Sequence, residues 1–224
     1  MSWYENAIAE AQTFFDDEPR SDQILASTTR AALAGFDALF KDVMRKAKIR
    51  DDWDDTKCYI FPHSTDCLMR SLKMGVEFKL GISIYGWFID CPLDNPDHIR
   101  SMKDDFWAQI ASLSDLGTAE FHDYGRPVGW ASSPEAKRLS QHSGSLVFAI
   151  ARDYTMLVLN GDEDTFLTVG GISVMLPLDK KEDEVYAFFR SGLEAMYRIN
   201  YFLYRSAYIR SKRLDKQRQK EKEA

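Results

Sequence analysis

Residues 75–90 read GVEFKLGISIYGWFID. Val76, Phe78 and Leu80 alternate with Glu77 and Lys79, the period of two that sends one set of side chains to a core and the other toward water. ISIYGWFI continues the strand pattern with more apolar character. A hairpin near Gly81 or a bulge at Gly86 lets the segment serve as one bent strand or as two. The segment is therefore β, and what flanks it decides the class.

On its N-terminal side, Lys57 to Phe61 reads as another strand, and IRDDWDDTK before it is a polar loop with Asp51, Asp52, Asp54 and Asp55 around Trp53. Further back the period changes. Leu25, Ala32, Phe36, Leu39, Val43 and Ala47 recur at helical steps, which predicts a helix capped by Ser21 or Asp22 and ending near Lys48. Arg45, Lys46 and Lys48 suit the negative end of its dipole. Ser2 to about Phe15 predicts a shorter helix presenting Ile8, Ala11 and Phe15, with DDEPRSD breaking the chain between the two.

On the C-terminal side, LDNPDHIRSMKDDFWAQIASLSD predicts one helix that starts at Pro96 and buries Ile99, Met102, Phe106, Ile110 and Leu113. GTAEFHDYGRPVGW is extended, SPEAKRLSQ offers one or two helical turns, and LVFAIA, YTMLVLN and TFLTVGGISVMLPL read as strands. GDEDT is a hairpin turn between the last two. From Lys181 a long helix carries Phe188, Met196, Ile199, Leu203 and Ala207 on one side, and Tyr197, Tyr201, Tyr204 and Tyr208 on another. A helix apolar on two sides must be covered on two sides, either between sheet and N-terminal helices or by another molecule.

The expected fold is α+β: a mostly antiparallel sheet packed with N-terminal helices and a long C-terminal helix. Residues 1–210 form a single domain, and residues 211–224, with Leu214 as the one large apolar side chain, a charged solvated helix end or tail. At 45% hydrophobic residues, with 14 Phe, 10 Tyr and 5 Trp, the chain can bury a core without disulfides. Cys58, Cys67 and Cys91 are odd in number and are expected as reduced thiols. The acidic start MSWYENAIAEAQTFFDDEPR shows no signal peptide, and no stretch approaches membrane-span length, so a cytoplasmic protein with no membrane contact is expected.

The net charge of −6 hides an asymmetry. From Arg198 onward there are nine Lys or Arg against three Asp or Glu, a balance of +6 that leaves −12 on residues 1–197. An acidic body does not suit nucleic acid, whose phosphates need a basic face. Only the tail, YRSAYIRSKRLDKQRQK, interleaves aromatics and cations as single-strand binders do.

Catalytic signatures are sparse. No phosphate loop, HExxH or GxSxG occurs. HSGS at His142–Ser145 is local adjacency rather than a triad. Cys58, His63, Cys67 and Cys91 are zinc-type donors at the wrong spacing, so neither a metal nor a cofactor is expected. If the chain is an enzyme, two constellations deserve a place. Asp66 with Glu77 and Lys79 outlines a metal-dependent phosphodiesterase or nuclease, in which carboxylates hold a divalent ion and a lysine positions water. EFHDYGRP gathers Glu120, His122, Asp123, Tyr124 and Arg126, where His beside Asp can do acid–base work.

The leading expectation is a non-catalytic interaction protein, of the inhibitor, immunity or antitoxin kind or a regulatory binding domain. Its partner is another protein, basic if the acidic body selects it. Trp53 with Asp54 and Asp55 would form one docking surface, and Tyr197, Tyr201, Tyr204 and Tyr208 another. Whether Glu77, His63, His122 and Asp123 converge or scatter separates the two classes.

Overall fold

The computed structural model describes residues 2–15, 27–94, 96–122, 147, 150 and 168–223. Helix α1 spans Trp3–Gln12 and α2 spans Ser27–Lys46. Ser2 caps α1: its hydroxyl accepts from the Glu5 backbone N–H while Glu5 accepts from the Ser2 N–H, the reciprocal box that satisfies two end donors. Strands β1 (Lys57–Phe61), β2 (Ser64–Arg70), β3 (Glu77–Ser83) and β4 (Gly86–Asp94) follow as an antiparallel meander. Then come α3 (Asp104–Ser112), β5 (Thr118–His122), β6 (Thr168–Leu176) and α4 (Glu182–Glu223).

The six described strands form one sheet in the order β1-β2-β3-β4-β6-β5, every neighbour antiparallel. The fold is α+β, with N-terminal helices, an antiparallel sheet and a long C-terminal helix. The segment 75–90 makes two strands, reversing between Ser83 and Gly86 rather than near Gly81. Gly86 sits at φ +146°, and a Cβ there would meet the Leu176 carbonyl oxygen at 2.3 Å, so no other residue closes this turn without strain.

One sheet face carries Cys67, Met69, Phe78, Leu80, Ile82, Trp87, Ile89, Ile172 and Val174, all buried against the helices. Trp87 packs edge-on to Trp3 of α1 and Phe189 of α4, and stacks on Tyr4. Burying such rings removes large apolar areas from water and dominates the folding free energy. The opposite face presents Asp66, Leu68, Lys79, Phe88, Asp90, Ser173 and Glu120.

Four expectations change. Ser64–Arg70 is a strand that the sequence pattern did not announce, because both its faces are buried and one carries Asp66. The helix expected from Pro96 divides into a 3-10 segment, Pro96–Ser101, and α3. Of the expected α1 stripe, Ala11 is buried and Ile8 is half-buried against the core, but the buried face also takes in Ala7 and Glu10, with Phe14 beyond it. Val147 and Ile150, the described residues of LVFAIA, are helical rather than extended. A short continuous apolar run does not by its period distinguish a buried strand from a buried helix. YTMLVLN, the GDEDT turn, SPEAKRLSQ and the cap at Ser21 or Asp22 lie outside the described residues.

Candidate functional site

The loop after α2 is more ordered than its composition announces. Trp53 forms an isolated bridge with Ser71, the Asp54 N–H donates to the Arg70 carbonyl at 2.9 Å, and the Leu72 N–H donates to the Asp52 carbonyl at 2.8 Å. The loop is thereby pinned alongside the β2–β3 turn. Asp51 fastens it further: one carboxylate oxygen accepts from Ser71 Oγ at 2.6 Å and from the Tyr197 hydroxyl of α4 at 2.9 Å. Burial, and then this hydrogen bond, push the Tyr197 phenol well above its ordinary pKa.

Between this loop and the C-terminal half of α2 lies a cleft of about 350 Å³. Phe40, Met44, Ile49, Trp53 and Met69 form its apolar lining, and Asp51, Asp54, Asp55 and Thr56 stand on the loop side. The Trp53 ring is held edge-on by Phe40 at 5.1 Å and Phe78 at 5.9 Å. Lys41 and Arg45 reach the α2 side, each held by a carboxylate of its own helix, Asp37 at 2.7 Å and Asp42 at 2.6 Å. Lys46, Tyr186 and Arg45 all donate to Asp42 and hold its pKa far below the usual carboxylate range. Asp54 and Asp55 form no ion pair among the described residues. The rim therefore carries unneutralised negative charge over an apolar floor.

From the cleft an aromatic run continues onto α4. Trp53 touches Tyr197 at 6.1 Å, and Tyr197, Tyr201, Tyr204 and Tyr208 follow at 6.2, 6.2 and 6.3 Å between ring centres. Exposure rises along it: Tyr197 is 7% exposed, Tyr201 and Tyr204 are half-buried, and Tyr208 is 52% exposed. Lys73 sits over the Tyr201 ring at 4.8 Å and Lys212 over Tyr208 at 5.6 Å. The two groups of residues expected as separate docking surfaces are thus one connected aromatic run, in which the buried Tyr197 is a link rather than exposed surface. It also borders a second, more open hollow of about 590 Å³ lined by Arg50, Asp51, Asp52, Leu72 and Lys73.

No family model, curated protein or solved structure matches this chain.

The residues expected to serve an enzyme are spread across the outer sheet face. Lys79 stands opposite Leu68 on one side and Asp90 on the other, whereas Glu77 stands opposite Arg70. Asp66 stands opposite Gly81, where a Cβ would lie 2.5 Å from the Thr65 carbonyl oxygen and 2.7 Å from the Asp66 Cβ, so glycine is what lets β2 approach this closely. His122, on β5 opposite Gly171 of β6, lies three strands from β3, or about 14 Å at the usual strand spacing. His63 lies in the β1–β2 turn, at the opposite end of β2 from Arg70 and Glu77. Glu77, His63 and His122 therefore scatter, and Asp123 lies outside the described residues. Among the described residues no group of three or more His, Cys, Asp or Glu is placed to hold a metal ion. Nor is any described helix long and apolar enough to cross a membrane.

One feature of that face remains chemically distinctive. Asp66 is 5% exposed, and its Oδ1 is buried without a hydrogen-bond partner. Burial pushes its pKa up to about 6, with Lys79 opposing the shift and Asp90 adding to it.

Sequence reasoning did not pick out Phe40, Met44, Ile49 and Met69 as cleft lining. Phe40 and Met44 lie four residues apart beside the Phe36–Val43 stripe, and a helix stripe that wide signals apolar surface beyond what one sheet covers. Met69 belongs to the strand that the pattern missed.

Proposed function

We propose that this chain is a non-catalytic interaction protein that binds a basic protein segment in the cleft between α2 and the loop 49–56. The observation that carries the reading is the pairing of an apolar floor, Phe40, Met44, Ile49, Trp53 and Met69, with the uncompensated Asp54 and Asp55 at the rim. Such a cleft favours an apolar or aromatic side chain flanked by Lys or Arg: burial supplies affinity, and complementary charge supplies rate and selectivity. The charge of −12 on residues 1–197 acts in the same sense at longer range. The scatter of Glu77, His63 and His122 supports the reading by weakening its competitor. A regulatory or inhibitor-like role in the cytoplasm belongs to this proposal.

Binding should be measured by fluorescence anisotropy against labelled peptides with one Trp or Leu between Lys and Arg residues, with Glu-for-Lys versions as controls. The basic peptides should bind, weaken as salt is raised, and lose at least about tenfold affinity on Asp54→Lys with Asp55→Lys, as for two lost charge contacts of roughly 0.7 kcal/mol each. Both substitutions lie at the cleft rim, so the folding midpoint should hold. Equal binding by the reversed variant, or no preference for basic over acidic peptides, sinks the proposal.

A second reading, a metal-dependent hydrolase, rests on Asp66 with its unpartnered oxygen beside Lys79 and Asp90. It requires that Mg²⁺ or Mn²⁺ raise the thermal midpoint of the wild type and not of Asp66→Asn. A midpoint unmoved by either ion removes it.

A further inference from the structure

We propose that Cys58 and Cys67 are a reactive thiol pair that closes into a cross-strand disulfide by exchange with small-molecule disulfides. The two residues stand directly opposite in the β1–β2 ladder, with their sulfurs 3.4 Å apart. Opposite residues of an antiparallel ladder have Cα atoms about 4.5 or 5.5 Å apart. Both spacings fall inside the roughly 4.4–6.8 Å that a disulfide spans. Closure to a bonded pair thus needs side-chain rotation and no change of register. The proposal stands independently of the docking reading.

The two thiols are unequal in a way that assigns their roles. Among the described residues β1 pairs with β2 alone, and Cys58 is exposed on it. Cys67 is buried under α2, with its sulfur 3.6 Å from the Leu33 carbonyl oxygen. Burial, followed by its contact with Cys58, raises the Cys67 pKa and keeps that sulfur protonated until it reacts. Cys58 is therefore the sulfur an external reagent meets, and Cys67 the one that resolves. Cys91 is no competitor: it lies on β4, two strands from β2, and its sulfur accepts from the Asn200 amide at 3.5 Å.

The chemistry balances with the small disulfide as oxidant. The Cys58 thiolate attacks one sulfur of RSSR, forming a mixed disulfide and releasing one thiolate, which takes a proton from water. Cys67 then attacks the Cys58 sulfur as its proton passes to the departing thiolate. The protein S–S bond forms, the bond to the reagent breaks, and a second RSH leaves. Two protein thiols are oxidised and one RSSR is reduced to two RSH.

The test incubates the full chain with excess glutathione disulfide at mildly alkaline pH, then measures intact mass and non-reducing peptide maps. The wild type and Cys91→Ala should each become two hydrogens lighter, carry no adduct, and yield a peptide linked through Cys58 and Cys67. Cys67→Ser should instead accumulate one glutathionyl adduct on Cys58, and Cys58→Ser should show neither product. Should Cys67→Ser fail to fold, the wild type, Cys91→Ala and the surface variant Cys58→Ser still decide. A wild type that keeps an adduct on Cys58, stays unmodified, links to Cys91 or forms disulfide dimers overturns the proposal.

Discussion

Glu10→Ala is expected to destabilise the protein by about 3–4 kcal/mol, a large share of the stability of a typical domain. Glu10 is fully buried, and its two carboxylate oxygens accept from Thr29 Oγ1 at 2.7 Å and Thr65 Oγ1 at 2.8 Å. These three residues belong to α1, α2 and β2, so one carboxylate ties both N-terminal helices to the sheet. Alanine takes a charged acceptor away from two buried hydroxyls, at about 1 kcal/mol or more each, and leaves a cavity as well. Glu10→Gln keeps the shape, and a hydroxyl can turn from donor to acceptor, so its cost should be nearer 1 kcal/mol. Urea titrations of the three proteins supply the comparison. An alanine variant within about 1 kcal/mol of wild type would show that α1 is not anchored through this residue.

Asp66→Asn should act in the opposite direction and should do so only above acid pH. A carboxyl raised from 3.8 to about 6 on folding binds its proton more tightly in the native state than in the unfolded chain. Stability from this group is therefore fully present below about pH 4, falls as pH rises toward 6, and stays low above it. A shift of about two units corresponds to roughly 3 kcal/mol. The asparagine variant lacks the slope and should be more stable than wild type at pH 7 by about 1–3 kcal/mol, the lower figure allowing for an amide with an unpaired polar atom. Other acids contribute opposite slopes, Asp37 among them: burial opposes its ionisation, but hydrogen bonds from Lys41 and Thr56 lower its pKa overall. The informative quantity is thus the wild-type minus variant difference against pH. Parallel profiles from pH 4 to 8 would mean that Asp66 titrates normally.

Much of this molecule was legible because its hydrophobic periods are strong. The alternation Val76–Phe78–Leu80 and the stripe Ala32–Phe36–Leu39–Val43 each mark side chains that the fold buries. Glu10 and Asp66 were illegible for one shared reason. A pattern of polar and apolar residues assigns every carboxylate to water, and only the three-dimensional neighbours show otherwise: two threonines satisfy Glu10, whereas Asp66 is buried at a cost that its raised pKa records. Trp53 presents the converse. Its acidic loop marked it as an exposed anchor, but long-range contact with Phe40, Phe78 and Tyr197 gives it a fixed orientation in the cleft wall. Sequence spacing also placed the four tyrosines on one line, without indicating that Asp51 and Trp53 would join that line to the loop.

Helix α4 runs without a break through 42 residues, about 63 Å at the usual rise, from a start packed under the sheet to an end surrounded by solvent. Such an element has no single opening free energy. Amides around Leu193 to Leu203 should exchange with deuterium only when the whole domain opens, whereas those beyond Ser211 should exchange through helix fraying, many orders of magnitude faster. The tyrosine row spans the boundary between the two regimes. A ligand that covers Tyr204 and Tyr208 would move that boundary outward, and slowed exchange at the next turns would reveal the contact before any partner had been identified.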